Sequence, residues 1–368
     1  MNKVGETTLV LDLSALEHNY KYLRSKIAPE TKFLGVVKAF AYGSDMVAIA
    51  QKLEELGADY LAVAYASEGV LLRQAGVKLP ILVLHPLAAN FDDLIAYCLE
   101  PSLYSRSILN QFLKAAETQK QQDYPVHIKF NTGLNRLGFS QVDVDFIAEE
   151  VKRNASVKIV STFSHLAASE DGSERAFSLE QIGSFKKSSK ALGEKLGYAP
   201  MRHMLNTSGI INYAEAQFEM VRSGIGLYGY GNQAEVDASL RPVATLKTVI
   251  SQIHEIEPNH SVGYNRAFKA DKKVKSATLP LGHADGIGRQ YGKGKGIVII
   301  NGKKAPILGN VCMDMIMVDV TGIDCKEGDE VIVFGPQKSA EAFAAGANTI
   351  SYEILTAISQ RVKRVVKC

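Results

Sequence analysis

The chain has 368 residues, a formal charge of +3 and 46% hydrophobic residues, enough apolar material for one large domain or two ordinary ones. Nearly balanced charge, with no basic stripe carrying interleaved aromatics, argues against a nucleic-acid binder, and no stretch approaches the ~20 apolar residues of a membrane span. Residues 1–20 lack the apolar core of a secretory leader, and Cys98, Cys312, Cys325 and Cys368 form no C-x-x-C pair or disulfide-like framework, so a reducing cytoplasm is expected.

In chain order, short apolar runs alternate with helical patterns. The runs lie at 33–39, 59–66, 80–85, 99–104, 125–132, 157–165, 201–206 and 218–229. Between them, "DMVAIAQKLEELG" places Met46, Val47, Ile49, Ala50 and Leu53 at helical spacing and stops at Gly57, and "ASEGVLLRQAG" stops at Gly76. Strands alternating with helices predict a parallel sheet, and eight such units in roughly 200 residues predict an α/β fold of the closed (β/α)8 barrel type. The rival is an open doubly wound sheet, which usually has fewer strands. After about residue 236 the runs become strand-like with Gly, Asn and Asp turns, among them a hairpin signal at Asn301-Gly302. The predicted organisation is therefore a barrel over 1–236 and a mostly-β domain over 237–368. A last helix is expected from "SYEILTAISQRV", with Ser351 as its cap, and "RVKRVVKC" reads as a closing strand or helix end.

A barrel carries its chemistry at the C-terminal ends of its strands. The first predicted strand ends on Lys38, with Tyr42 just beyond; the third on His85; the fourth on Tyr104; the fifth runs into a loop with Arg136. The sixth ends on His165, the seventh on Asn206, Thr207 and Ser208, and the eighth carries Arg222 before Gly224, Ile225, Gly226 and Gly229. Singly, each has a bland reading as a surface group, a satisfied polar residue or a helix cap. Together they crowd one rim. The glycine pattern lacks the acidic residue of a dinucleotide site, but loops after the last two strands of a barrel commonly bind phosphate. A phosphate beside a lysine able to condense with a carbonyl suggests pyridoxal phosphate, with Arg222 facing its ring nitrogen. No metal site is expected, since "VCMD" around Cys312 is too sparse.

The segments "VVKAFAYG", "HIKFNTGLNRLGF", "FSHLAASED", "NTSGI", "VRSGIGLYG", "VGYNRAF", "LPLGHADGIGR", "GNVCMDMIMVD" and "SYEILTAISQRV" resemble, in order, those of alanine racemase, a family with a barrel and a C-terminal β domain that uses pyridoxal 5'-phosphate. The resemblance runs from near residue 33 to near 362. It implies racemisation of alanine to supply D-alanine for peptidoglycan, by a homodimer with shared sites. Lys38 would hold the cofactor covalently and act as one catalytic base, and Tyr264 of the second subunit would be the other. Arg222 would bond the ring nitrogen, with His165 linking Tyr264 to Arg222. Tyr42, Thr207, Tyr352 and the Gly224–Ile225 backbone would hold the phosphate, with Asn206 and Ser208 beside them. Arg136, helped by the Met313 N–H, would orient the substrate carboxylate, and Lys129 matches a position that is often carbamylated.

Several residues depart from the family pattern. Phe40 stands where the family usually has Asn, Ser44-Asp45 where it has His-Gly, Thr207 where serine is usual and His283 where an access-channel tyrosine is common. Phe40 and His283 bear on substrate access and selectivity. Three rivals are a decarboxylase, a broad-range amino-acid racemase and a non-catalytic pyridoxal-phosphate carrier. Decarboxylases of this architecture place an acid where this chain has Arg222; broad-range racemases are often exported; and the carriers resemble the barrel alone.

Overall fold

The computed structural model describes residues 6–367, so Cys368 lies outside the described residues. The first strand, β1 (Thr8–Asp12), precedes a closed eight-stranded parallel barrel made of β2 (Lys32–Val36), β3 (Tyr60–Val63), β4 (Ile81–Val83), β5 (Glu100–Leu103), β6 (Tyr124–Lys129), β7 (Val157–Phe163), β8 (Met201–His203) and β9 (Met220–Ser223). Pairing of β2 with both β3 and β9 closes the ring. The expected barrel is thus present, with strands shorter than the apolar runs that announced them.

The helices around the ring form for local reasons. Helix Met46–Glu55 is capped by Asp45, whose carboxylate accepts from the Val47 and Ala48 N–H groups at 3.1 and 3.0 Å. Its Met46, Ile49, Ala50 and Leu53 are buried, each large one contributing roughly 1.5–3 kcal/mol. In helix Ala66–Gln74, Glu68 reaches back to accept from the Ala64 and Tyr65 N–H groups at 2.7 and 3.3 Å.

The remaining strands are β10 (Ala244–Val249), β11 (Gln252–Ile256), β12 (Ser261–Val262), β13 (Phe268–Lys269), β14 (Val274–Leu279), β15 (Ile297–Ile300), β16 (Lys303–Leu308), β17 (Ile316–Asp319), β18 (Glu330–Phe334) and β19 (Lys363–Lys367). A nine-stranded sheet runs β11-β14-β17-β16-β15-β18-β10-β1-β19, and β12 and β13 form a separate ribbon. The Asn301-Gly302 turn joins β15 to β16 as expected, with φ of 48° and 75°. One strand was not foreseen: β1, ahead of the barrel in sequence, pairs antiparallel with β10 and parallel with β19. Both ends of the chain are thereby tied into the β domain.

Two local expectations are corrected. Ser351 is the first residue inside helix Ser351–Ala357, with Ile350 at the cap position, and its buried hydroxyl has no hydrogen-bond partner. Strand β2 ends at Val36, so Lys38 stands beyond it, at the start of a turn in which Ala39, Phe40, Ala41 and Tyr42 all have φ of 53–55°. Four successive L-residues in the left-handed region cost roughly 1–2 kcal/mol each, so the surroundings must hold the turn. The Ala39 N–H donates to Glu68 Oε1 at 2.6 Å, and Arg364 Nη2 donates to the Gly43 carbonyl at 2.9 Å. Gly43 itself has φ of 77°, and a Cβ there would overlap the Leu355 carbonyl of the C-terminal helix.

Gly43→Ala should therefore destabilise the protein by at least ~2 kcal/mol, read as a lowered urea midpoint. A variant as stable as the parent would show that the left-handed turn is not clamped against helix Ser351–Ala357.

Candidate active site

The turn after β2 lifts Lys38 into a cavity of about 990 Å³ at the C-terminal mouth of the barrel. Val36, Lys38, Tyr42, Tyr65 and His85 line one side; Lys129, Arg136, Phe163 and His165 another. Asn206, Thr207, Ser208, Arg222, Gly224 and Ile225 come from the last two strands. Residues Thr349, Ile350, Tyr352, Glu353 and Thr356 of the β domain close the edge. Of the residues the sequence placed on the barrel rim, Tyr104, Gly226 and Gly229 are not in this wall and the others are. Tyr104 is set back, its hydroxyl donating to the Pro86 carbonyl at 3.2 Å.

The cavity is rich in cations whose charge is expensive to bury. Burial and the neighbouring Arg136 push Lys38 below the ordinary lysine range, against a smaller opposing pull from Glu68. Lys129 is pushed down to about 8 by burial, Arg136, Arg222 and Lys38. Arg222 is pushed down to about 9 by burial and Arg136, which leaves it charged at neutral pH. Burial, then Arg222, hold His165 well below its usual range, so this imidazole is neutral. Such a wall selects an anionic ligand and presents a lysine with an enlarged neutral fraction to an electrophile.

Arg222 is fixed from several sides. Its Nη2 donates to the Ser164 carbonyl at 2.7 Å, the Met204 carbonyl at 3.1 Å and His165 Nδ1 at 3.2 Å, and its Nη1 donates to His203 Nδ1 at 2.7 Å. The centre of the Phe163 ring lies 5.3 Å from the guanidinium carbon.

The opposite end of the cavity is built for an oxyanion. Tyr42 stacks on Tyr228 at 4.5 Å, and the Tyr228 hydroxyl donates to the Val36 carbonyl at 3.0 Å, which fixes the ring. A Cβ at Gly224 would overlap the Tyr42 hydroxyl, so only glycine lets that phenol and the Gly224 backbone share the space. Burial raises both Tyr42 and Tyr352, keeping each phenol protonated and able to donate. Thr207 Oγ1 accepts from the Gly226 N–H at 3.2 Å and lies 3.0 Å from Ser223 Oγ. Asn206 lines the cavity and also caps the next helix by accepting from the Gly209 N–H at 2.9 Å. These groups fit a phosphate, and the lysine and arginine fit the rest of a pyridoxal ring.

Two predicted residues are not brought to this cavity within one chain. Tyr264 stands between β12 and β13 and is 71% exposed, and Met313 is 60% exposed. Both lie in the β domain: Asn310 Nδ2 donates to the Tyr264 carbonyl at 3.2 Å, and the Ala284 N–H donates to the Met313 carbonyl at 3.0 Å. Arg361 braces this region through Asp285 and Asp314 at 2.6 and 2.7 Å. The sequence reading missed Glu68, Tyr228 and His203. Glu68 had a signal, since it sits three residues into a helix; the other two look like ordinary strand residues.

The chain matches the family models "Alanine racemase, N-terminal domain" over residues 11–232 and "Alanine racemase, C-terminal domain" over residues 243–366. The alanine racemase of Clostridium kluyveri is 38% identical, with 96% of this chain and 92% of that protein covered. Among solved structures, an alanine racemase of Clostridium difficile 630 superposes with a TM-score of 0.92 at 33% identity, covering 98% of this chain and 96% of that one. An alanine racemase of Bartonella henselae, solved with covalently bound pyridoxal phosphate, superposes with a TM-score of 0.89 at 29% identity, covering 99% of this chain and 100% of that one.

The depressed Lys129 makes stability pH-dependent. The unfolded chain holds the proton up to about 10.5 and the folded chain only up to about 8. Between those values the unfolded state binds more protons, so stability rises with pH across the window, and the penalty is constant below it. In carbonate-free buffer, stability from urea unfolding between about pH 7.5 and 9.5 should rise more steeply in the parent than in Lys129→Met by at most ~1.4 kcal/mol per pH unit, the slope from Lys338, also pushed down to about 8, being common to both. Parallel curves for the two proteins would mean that Lys129 titrates normally.

Proposed function

We propose that this chain, which belongs to the alanine racemase family, interconverts L-alanine and D-alanine with pyridoxal 5'-phosphate as its cofactor, and so is an amino-acid racemase of the isomerase class. The observation that carries the reading is the convergence of Lys38, Arg222 and the Tyr42–Gly224 cradle in one cavity. When bound, the cofactor supplies a conjugated ring that accepts the electron pair left as the Cα–H bond of alanine breaks.

The residues of the chain supply the rest. Lys38 anchors the cofactor and, with its lowered proton affinity, takes or returns the Cα proton on one face at its Nζ. Tyr264 of a second copy does the same at its hydroxyl on the other face. Two faces require two bases, because one group cannot reach both sides of a held Cα. Arg222 directs a cationic N–H at the ring nitrogen, which disfavours protonation there and discourages side reactions of a long-lived carbanion. His165 links Tyr264 to Arg222. Tyr42, Thr207, Ser208, Tyr352 and the Gly224 and Ile225 backbone hold the phosphate, with Asn206 supporting them. Arg136, with Met313 from the second copy, orients the substrate carboxylate, and carbamylation of Lys129 would replace a cation beside it with an anion. In this reading the residues up to 236, apart from β1 in the β-domain sheet, form the barrel unit that holds the cofactor, and the β domain, 237–368, brings Tyr264 to its partner's cavity.

Exposed apolar side chains support the homodimer. Phe40, Tyr65 and Ile350 are exposed on or beside the cavity wall, and Tyr264, Met313 and Met315 are exposed on the β domain. A cytoplasmic setting is supported by Cys98, Cys312 and Cys325 being free. Among the described residues no helix is long and apolar enough to cross a membrane. The product would serve peptidoglycan synthesis.

The purified protein with pyridoxal phosphate should convert L-alanine to D-alanine, read by chiral chromatography, with L-serine run in parallel to test Phe40 and His283. Borohydride treatment should place a pyridoxyl group on the Lys38 peptide. No D-product despite bound cofactor would overturn the racemase reading in favour of a carrier or decarboxylase.

A mixture of Lys38→Ala and Tyr264→Phe subunits, each inactive alone, should regain roughly a quarter of the parent activity through hybrid dimers with one intact site. Absence of recovery despite hybrid formation would place Tyr264 outside the partner's site.

A further inference from the structure

Arg222 poses a problem that the cavity does not solve. It is 5% exposed, yet among the described residues no carboxylate lies within ion-pair distance of it. Backbone carbonyls take part of its charge. Its Nη1, however, begins a line of side chains that runs down the barrel interior. His203 Nδ1 is 2.7 Å from Arg222 Nη1, and His203 Nε2 is 2.9 Å from Ser161 Oγ. Ser161 Oγ is 2.6 Å from His127 Nδ1, and His127 Nε2 is 2.7 Å from Glu100 Oε2. All five residues are buried, from five different strands or strand ends of the barrel.

The protons in this line are fixed by chemistry at its ends. A guanidinium only donates and a carboxylate only accepts. His203 Nδ1 therefore carries no proton, and its single proton sits on Nε2, donated to Ser161. Ser161 must then pass its hydroxyl proton to His127 Nδ1, and His127 must donate from Nε2 to Glu100. Each intermediate group uses one donor and one lone pair. A doubly protonated His127 would leave the Ser161 proton without an acceptor in the line. The burial of His203, with Arg222 beside it, disfavours a charge there as well.

We infer that Glu100, acting through His127, Ser161 and His203, is a positioning residue for Arg222: it supplies a remote countercharge through the line and holds the guanidinium aimed into the cavity. Aligned hydrogen bonds polarise one another in a low-dielectric interior, so a carboxylate at the far end strengthens each bond of the line that ends on Arg222 Nη1. The arrangement lets the cavity wall stay cationic while the compensating anion is kept away from the ligand. The inference rests on the proposed role of Arg222 toward the cofactor ring; none of Glu100, His127, Ser161 or His203 lines the cavity.

The test uses the pyridoxal-phosphate-loaded enzyme labelled with 15N-histidine. NMR should show His127 and His203 both neutral with the proton on Nε2. Ser161→Ala, which cuts the line, should shift the His127 ring signals and the cofactor absorbance. It should also lower kcat about tenfold with KM changed less than about threefold, and Ser161→Thr should restore both. Glu100→Gln keeps an acceptor but removes the charge; it should preserve the tautomers, move the cofactor absorbance and lower kcat by a smaller factor. It also serves should Ser161→Ala fail to fold. A proton on Nδ1 of either ring, a charged His127, or unchanged absorbance and kcat in Glu100→Gln would overturn the inference. The histidine signals report the line whether or not Arg222 faces a ring nitrogen, so failure of that reading is seen separately.

Discussion

Four cations, Lys38, Lys129, Arg136 and Arg222, share one cavity wall, and most of the surrounding structure can be understood as the means of tolerating them. Unpaired buried charge is the most expensive thing a protein interior can hold. Here the cost is spread over three devices. Lys38 and Lys129 lose proton affinity. Arg222 is met by carbonyls and by a line of hydrogen bonds that ends in Glu100. Arg136 is left on the exposed side of the wall. The result is a predominantly cationic wall, with Glu353 at its edge, suited to an anionic cofactor and an amino-acid carboxylate.

The same cavity stores backbone strain. The left-handed turn from Ala39 to Tyr42 follows directly on the reactive lysine. An ordinary right-handed turn there would send Tyr42 elsewhere and separate the amine from the phenol that lines the same cavity. The cost is met by distant parts of the chain: Glu68 from helix Ala66–Gln74, Leu355 from the C-terminal helix and Arg364 from near the end of the chain. This explains why the β domain is more than an appendage. It clamps the cofactor turn, contributes Tyr352 to the cavity edge and takes in β1, so that both ends of the barrel are tied to one sheet.

Much of this was legible from residue order alone. Alternation of apolar runs and helical patterns specified eight strands because strand and helix periods differ and each run is bounded by its own stops. Listing residues at the ends of those runs then collected Lys38, His165, Thr207, Arg222 and Gly224 on one rim, since a parallel barrel points every strand the same way. The resemblance to a known family added Tyr264 and Met313, which the geometry of one chain leaves exposed.

What the sequence determined by itself was the repeating local pattern and the chemical types at strand ends, because both follow from short-range periodicity and side-chain identity. What only the tertiary structure decided were features made by residues far apart in sequence. The left-handed turn has no glycine until Gly43, so nothing local announces it; contacts from residues 68, 355 and 364 impose it. The Glu100–His127–Ser161–His203–Arg222 line is likewise invisible in the sequence, where each member reads as one polar residue in a buried strand. Only closure of the barrel brings those strands within hydrogen-bond distance and forces each proton to one side.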